Sequence, residues 1–370
     1  MAAPYTSEPT AQVYDTMLTT TMNKFLTTDV ADQVNKANIV FYTLNKDEFK
    51  KPWTGGDRIE IPLRVVKSTS GGWYDDSEPL NTNPSNPLSK AFFPIHQIHY
   101  SVVLSRLEEQ KNRGEARAIN MLQALSDDAE DSLTEDMNTA VCGSGASDYR
   151  RICGLVDFVQ EDPTCATGGR NGDGYVGGIS QVSNTWWRNK VVQNKGTAFT
   201  YTPDLGDTPA NPTAWVALEK LFENCSKGGG SKQKKEPNIG LCNQAFFQLY
   251  LTGIAPQRRY QSSEYADAGF RNILFNGMPI SWDELVASPS AVVAGTVAVC
   301  YFLNKYYLHL CVDPETDMLV TPFVRPANQD ARISQILWYG ALGCSSRRKH
   351  GIFVDAHITP TDDTYAGDQP

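Results

Sequence analysis

Residues Glu115 to Cys142 read EARAINMLQALSDDAEDSLTEDMNTAVC, bracketed by Gly114 and Gly143 and free of Pro and Gly. Apolar residues fall at Ile119, Leu122, Leu125, Ala129, Leu133, Met137 and Val141. Steps of three and four place them on one face of a helix. The rest is strongly acidic, with Asp127, Asp128, Glu130, Asp131, Glu135 and Asp136. At about 1.5 Å per residue the predicted helix is roughly 40 Å long. That is more than twice the usual length of about 11–12 residues. A single apolar stripe of this length needs an equally long partner surface. A core helix of a large domain would carry the same stripe, so the flanking sequence has to decide.

Upstream lie two runs with strand periodicity. Asp57 to Lys67 alternates Ile59, Ile61, Leu63 and Val65, and Ile95 to Ser105 alternates Ile98, Tyr100, Val102 and Leu104. Between them, Ser68 to Phe93 reads STSGGWYDDSEPLNTNPSNPLSKAFF. So long a connection does not suit a hairpin buried in a compact domain. A two-stranded ribbon alone is marginal in water. The two runs therefore predict a projecting ribbon that completes its contacts on a neighbouring copy of the chain.

Working outward, residues 1 to about 40 have the sparse apolar content of an arm, with one helical stretch near Asp29 to Lys36. Arg106 to Arg113 is a short helical link. Beyond the long helix, ICGLVDFV reads as a buried strand and Glu161 to Gly178 as a Gly-rich loop. Pro212 to Cys225 reads as an amphipathic helix, with Trp215, Leu218, Leu221 and Phe222 on one side. Asn238 to Cys242 reads as a strand and Gln244 to Leu251 as a short helix. Ile273 to Trp282 is strand-like. Val292 to Leu303 and Tyr306 to Val312 read as a hairpin turning at Asn304-Lys305. Met318 to Val324, Ile333 to Leu342 and Gly351 to Val354 close an α+β chain, and Thr359 to Pro370 is a polar tail.

The 370 residues, 41% hydrophobic, describe a folded globular protein. A net charge of −9 disfavours tight binding to a phosphate backbone. No apolar run is long enough to cross a bilayer, and the start MAAPYTSEPTAQ lacks the features of a secretory signal. The eight cysteines include no C-x-x-C pair and read as reduced, mostly buried small hydrophobes.

Chemical motifs are weak. Gly172 to Gly177 matches G-x-G-x-x-G, but a polar loop precedes it and no helix follows, so it reads as a flexible loop. Gly168 to Asp173 approaches a calcium-binding repeat, yet occurs once and carries Asn171 where Gly is required. His96 and His99, three apart on a strand, point to opposite faces and do not converge on one metal ion. His309, His350 and His357 have no ligand spacing. G-x-S-x-G, Walker A, H-E-x-x-H and a Cys/His dyad are all missing from the sequence. Catalytic residues, metal ligands and cofactors are therefore not expected. Two basic clusters, Lys232, Lys234 and Lys235, then Arg347, Arg348 and Lys349, read as solvated loops or as partners for an acidic surface on another copy, such as the acidic face of the long helix.

The order of parts resembles the tailed-phage major capsid proteins, whose Hong Kong 97-type fold is shared with herpesvirus floors and encapsulin shells. The residues that carry the resemblance are Val176-Gly177-Gly178-Ile179-Ser180 with Trp186-Trp187-Arg188, and Arg347-Arg348-Lys349-His350-Gly351. In order, it spans about Phe25 to Val354. It implies an arm and lead-in over 1–50, an extended β-ribbon loop over 51–105, and a peripheral domain with its spine helix over 106–152. An axial domain then covers 153–324, a return to the peripheral domain 325–358, and a flexible tail 359–370. It further implies self-assembly through pentamers and hexamers into an icosahedral shell around double-stranded DNA, held without sequence-specific binding. The shell would be the virion capsid, assembled in the host bacterial cytoplasm. A separate scaffolding protein, because no charged helical leader precedes the arm, a portal and a decoration protein are the implied partners. The residues expected at assembly contacts are Trp73, Tyr74, Asp75, Asp76, Glu78, Lys232, Lys234, Lys235, Arg347 and Arg348. Two alternatives stand beside this reading: the shell protein of an encapsulin-like nanocompartment, and an α+β enzyme with a long lid at Ser68 to Phe93.

Overall fold

A computed structural model of the chain describes residues 40, 44, 50–65, 71–76, 78, 80, 86–111, 121–146, 148–166, 168–194, 214–227, 236–254, 272–286, 298–326 and 329–355. In chain order the first elements are β1 (Lys50–Pro52), β2 (Arg58–Arg64), β3 (Leu88–Pro94), β4 (His96–Ser105), α1 (Arg106–Lys111), α2 (Met121–Cys142) and α3 (Leu155–Phe158). There follow β5 (Tyr175–Val176), β6 (Ile179–Ser180), β7 (Lys190–Asn194), α4 (Ala214–Ser226), β8 (Ile239–Cys242), α5 (Gln244–Ile254), β9 (Asn272–Phe275) and β10 (Met278–Trp282). The chain closes with β11 (Ala298–Leu303), β12 (Leu308–Val312), β13 (Leu319–Val320), β14 (Ala331–Cys344) and β15 (Gly351–Asp355). The chain divides into two compact units. One comprises Met1–Lys36, Gln97–Met137 and Asp313–Tyr339, and the other Ala37–His96, Asn138–Val312 and Gly340–Pro370.

In the first unit, β13 pairs antiparallel with β14, Leu319 opposite Leu337, and β4 also pairs with β14. Of the apolar stripe on the long helix, Ala129, Leu133 and Met137 are buried, while Asp127, Asp128, Glu130 and Asp131 face solvent. The Tyr100 hydroxyl donates to the Asp136 carboxylate. Burial and that carboxylate push the tyrosine up to about 12. Ile119 lies outside the described residues.

The second unit holds a mixed six-stranded sheet in the order β7-β15-β11-β8-β10-β9. The helices α4 and α5 pack on it. Leu218 and Leu221 of α4, Phe246 of α5, and Phe275, Phe302 and Phe353 of the sheet form one aromatic-rich core. Strands β9 and β10 form a hairpin through Asn276 and Gly277, both at positive φ as a tight primed turn requires.

Three sequence expectations are corrected in this unit. Strands β11 and β12 are not a hairpin. Strand β11 lies between β15 and β8, whereas β12 pairs with β1 and β14. Both are buried along their whole length, and so are interior strands of two different sheets. Asn304 makes the corner between them: its side chain donates to Glu236 O and accepts from Tyr306 N, and its own N–H donates to His350 Nδ1. ICGLVDFV is not a strand but holds the helical turn α3. The Asp157 carboxylate folds back to accept from Gly154 N (3.1 Å), Gly145 N (2.8 Å) and Ser144 Oγ (2.5 Å). Such capping satisfies the first N–H groups of a helix and competes with extended backbone. Finally, β2 takes β3 as its ribbon partner, with Ile59 opposite Phe93. The run from 95 to 105 pairs elsewhere, as β4.

Candidate assembly surface

Opposed residues of an antiparallel pair share a face. The inner face of the ribbon carries Ile59, Ile61 and Leu63 from β2 and Ala91 and Phe93 from β3. Ile59, Leu63, Ala91 and Phe93 are buried. Ile59 and Ile61 pack with Cys311, Ala341, Trp53 and Ile95. Phe93 meets Phe158 edge-on at 5.5 Å. The root of the ribbon is therefore seated on its own subunit.

The seat is shaped by the β5–β6 turn. Gly177 and Gly178 have φ of +60° and +74°. A Cβ on Gly178 would lie 1.9 Å from the Phe92 ring, and one on Gly177 2.9 Å from Phe93. Gly177 O also accepts from Phe92 N (3.0 Å). Since Phe92 N points out of the ribbon ladder, its partner Glu60, and Pro62 two residues on, point outward from β2. Proline at such a place removes a donor from an open edge.

The outer face is polar. Lys90 Nζ donates to Glu60 at 2.9 Å and Arg58 Nε at 3.2 Å, and the Arg58 guanidinium lies 4.5 Å over Phe92. The Lys90 hydrogen bond holds the Glu60 carboxyl below its usual value.

Beyond Val65, whose N–H donates to Pro87 O (2.8 Å), the ribbon opens into its tip. Glu78 N donates to Asp75 O (3.0 Å), and Asp76 N to Asp75 Oδ1 (2.9 Å). Trp73 is wholly exposed and Tyr74 is 69% exposed. Asp75, Asp76 and Glu78 are also exposed, as are Leu80 and Leu88. The structure thus brings together the five tip residues expected at contacts.

The other five stand differently. Lys232, Lys234 and Lys235 lie outside the described residues. Arg347 is not a surface contact: it is 0% exposed and wholly committed within the chain. Its Nε donates to Phe158 O (2.7 Å), Nη1 to Gln181 Oε1 (3.1 Å) and Nη2 to Asn189 Oδ1 (3.3 Å). Burial pulls the guanidinium down to about 10. Arg348 is half-buried. Lys349 is also buried, and donates to Ser226 O and Lys227 O, the last carbonyls at the end of α4. That is the favourable place for a cation on a helix.

A second exposed apolar run, absent from the sequence expectations, comprises Leu319, Val320, Phe323 and Val324. Its signal in the sequence is four apolar residues in six without alternation, which a buried strand shows equally.

Among the described residues, no three His, Cys, Asp or Glu side chains cluster as metal ligands. His96 Nε2 lies 2.7 Å from Arg170 Nη1, His309 lies 3.2 Å from Lys51 Nζ, and His350 is wholly buried. All eight cysteines are thiols rather than disulfides, seven buried and Cys165 partly so. Burial raises the thiols of Cys225 and Cys344 to about 12. Among the described residues, no helix is long and apolar enough to cross a membrane.

No family model and no curated protein sequence matches the chain. Solved structures do. A chain of the cyanophage A-1(L) capsid superposes with a TM-score of 0.62 at 15% identity, over 91% of this chain and 97% of that one. The capsid of the Myoviridae phage XM1 gives 0.56 at 9%, over 90% and 96%. The capsid of a native GTA particle gives 0.55 at 12%, over 90% and 96%. The protein has the α+β Hong Kong 97-type capsid fold.

Proposed function

We propose that the chain is the major capsid protein of a tailed bacteriophage, self-assembling into an icosahedral shell around double-stranded DNA. The observation that carries this reading is the ribbon: a root locked to its own subunit and a tip that exposes Trp73, Tyr74 and Leu80 to water. An exposed apolar group of this size, on a chain with the fold of capsid proteins, is an interface awaiting a partner. The partner is another copy, since repeated heterologous contacts close a shell. Residues 51 to about 94 then act as the extended loop, and α2 as the spine of a peripheral domain. The region 153–312 with β15 builds most of the axial domain, and 313–339 goes with α2 to the peripheral one, in place of the limits at 324 and 325–358 expected from the sequence. The role is structural rather than catalytic. The net charge of −9 suits a wall along which DNA must slide. A scaffolding protein, portal and decoration protein complete the expected partners, with assembly in the host cytoplasm and residence in the virion.

The test is the double variant Trp73→Ser/Tyr74→Ser beside the unchanged protein, followed by sedimentation and electron microscopy. The unchanged chain forms closed shells; the variant keeps its circular dichroism and unfolding midpoint but stays in small species. A chain that remains monomeric under all assembly conditions refutes the proposal. Uniformly small shells that never take up DNA favour the nanocompartment instead.

A further inference from the structure

The tip of the ribbon needs a receiving surface, and the second exposed apolar run supplies one. Among the described residues, strand β13 is the last in its sheet. Successive residues of a strand point to opposite faces. Leu319 and Val320 are nevertheless 42% and 53% exposed, so both faces of this edge are open; Phe323 and Val324 follow at 41% and 62%. Fraying does not explain the exposure. Thr321 N donates to Gln335 O (2.8 Å), Val324 and Ile333 exchange two bonds of 2.9 Å, and Ser334 Oγ donates to Thr321 O (2.7 Å). The run is held firmly to β14 with its apolar side chains in water, a hazard that folded proteins ordinarily cover.

Charge selects the occupant. Exposed Arg325 ends the run. The nearby carboxylate of Asp330 is engaged by Arg106 at 3.8 Å. The tip, Gly71-Gly72-Trp73-Tyr74-Asp75-Asp76-Ser77-Glu78-Pro79-Leu80, has three carboxylates and no cation beside its aromatic pair. At the other end of the run stand Asp317 and exposed Glu315, so the edge is cationic only at its Arg325 end. Each surface thus offers apolar area, and the Arg325 end offers the tip's carboxylates an opposite charge. Rim charges of this kind fix register more than affinity.

We propose that the ribbon tip of one copy docks on the 319–325 edge of a neighbouring copy, with Trp73 and Tyr74 against Leu319, Val320 and Phe323, and with Asp75, Asp76 and Glu78 facing Arg325. This rests on the shell reading above and adds the surface that receives the ribbon. The contact is heterologous, tip to edge, and so repeats from copy to copy without using either surface twice.

Two full-length variants, Tyr74→Cys and Phe323→Cys, are purified separately with different mass tags, mixed, assembled and mildly oxidised. A disulfide joining the two tags is expected in shells, with neither single variant forming a like-tagged pair above the unmodified background. A charge exchange is the second arm. Arg325→Glu alone, and Asp75→Lys/Asp76→Lys alone, each raise the concentration needed for assembly several-fold. The three substitutions in one chain restore it towards that of the unchanged protein. Shells that form normally yet give neither the mixed disulfide nor the rescue overturn this contact while leaving the shell reading intact. Failure of the unchanged chain to assemble at all overturns the shell reading, and this contact with it.

Discussion

Replacing Arg347 by Met separates two roles for the same residue. Met keeps most of the apolar stem and removes the three donors. Gln181 Nε2 is already spent on Gln160 Oε1 and Cys165 O, so it cannot turn to replace them. Asn189 Oδ1 still accepts from Gln160 N at 3.2 Å and stays satisfied. Phe158 O and Gln181 Oε1 lose the partner the structure gives them. A buried acceptor left without a donor costs about 1–3 kcal/mol, so two give roughly 2–6 kcal/mol. The stem of Arg347 is enclosed and little water can enter, which places the expected loss near the middle, about 4 kcal/mol. Arg347→Lys recovers only part, because one ammonium cannot span three acceptors held in a fork. The assay is urea unfolding of the unassembled chain, followed by near-ultraviolet circular dichroism, which reports the packed second unit. A loss below about 1 kcal/mol, combined with failed assembly, would refute the internal role and return Arg347 to the surface.

Gly178→Ala forces an L residue to a φ of +74° and drives its Cβ into Phe92. The left-handed backbone costs about 1–2 kcal/mol and overpacking about 1–3 kcal/mol. Hydrogen exchange at the Phe92 amide should speed up strongly while that of the six-stranded sheet barely changes; equal protection in both proteins contradicts a seat built on these glycines. Acid should weaken the chain through its buried histidines. Burial lowers His350 to about 3 and His309, beside Lys51, to about 4, both below the ordinary 6.5. As pH falls through 6.5 the unfolded chain takes up protons that the folded chain refuses, so this stability is complete above about 6.5 and drains away towards 4 and 3. His350→Gln should flatten the fall of the urea midpoint between pH 7 and pH 4, and an unchanged slope removes His350 as a cause.

The long helix was legible because a one-sided stripe at 3.6-residue spacing fits hardly any conformation but a helix: Ala129, Leu133, Met137 and Val141 are all buried. The amphipathic helix near 212–225 follows from a similarly local pattern, whereas the strand-like run Ile273 to Trp282 is two strands folded back at Asn276-Gly277. The ribbon was legible as an object but not in its pairing. Ile95 to Ser105 alternates over more residues than Leu88 to Pro94, yet Ala91 and Phe93 are the side chains that meet Gly177 of the seat, and Phe92 the one that meets Gly178. That seat lies far along the chain from β3, and local periodicity cannot report it. Strands β11 and β12 misled for the opposite reason. Strands buried on both faces show no alternation, and so carry no mark of which sheet they join. Arg347 and Lys349 read as solvated because charge near a turn normally is. Their burial depends on Phe158 O, Gln181, Asn189 and the end of α4, all brought in by the fold. The apolar run 319–324 gave no warning, since exposure is invisible in a string of hydrophobic residues.

The ribbon root works as the pivot of a lever. Its seven paired residues on β2 run for about 20 Å at the usual rise per strand residue. A tilt of about 10° at the pivot would carry the far end sideways by roughly 3–4 Å, nearly the spacing between neighbouring strands. Two glycines fitted against two phenylalanine rings therefore set the aim of a tool that works at a distance. In a closed surface made of many copies, small angular errors at that pivot would accumulate around each ring until the curvature no longer closed.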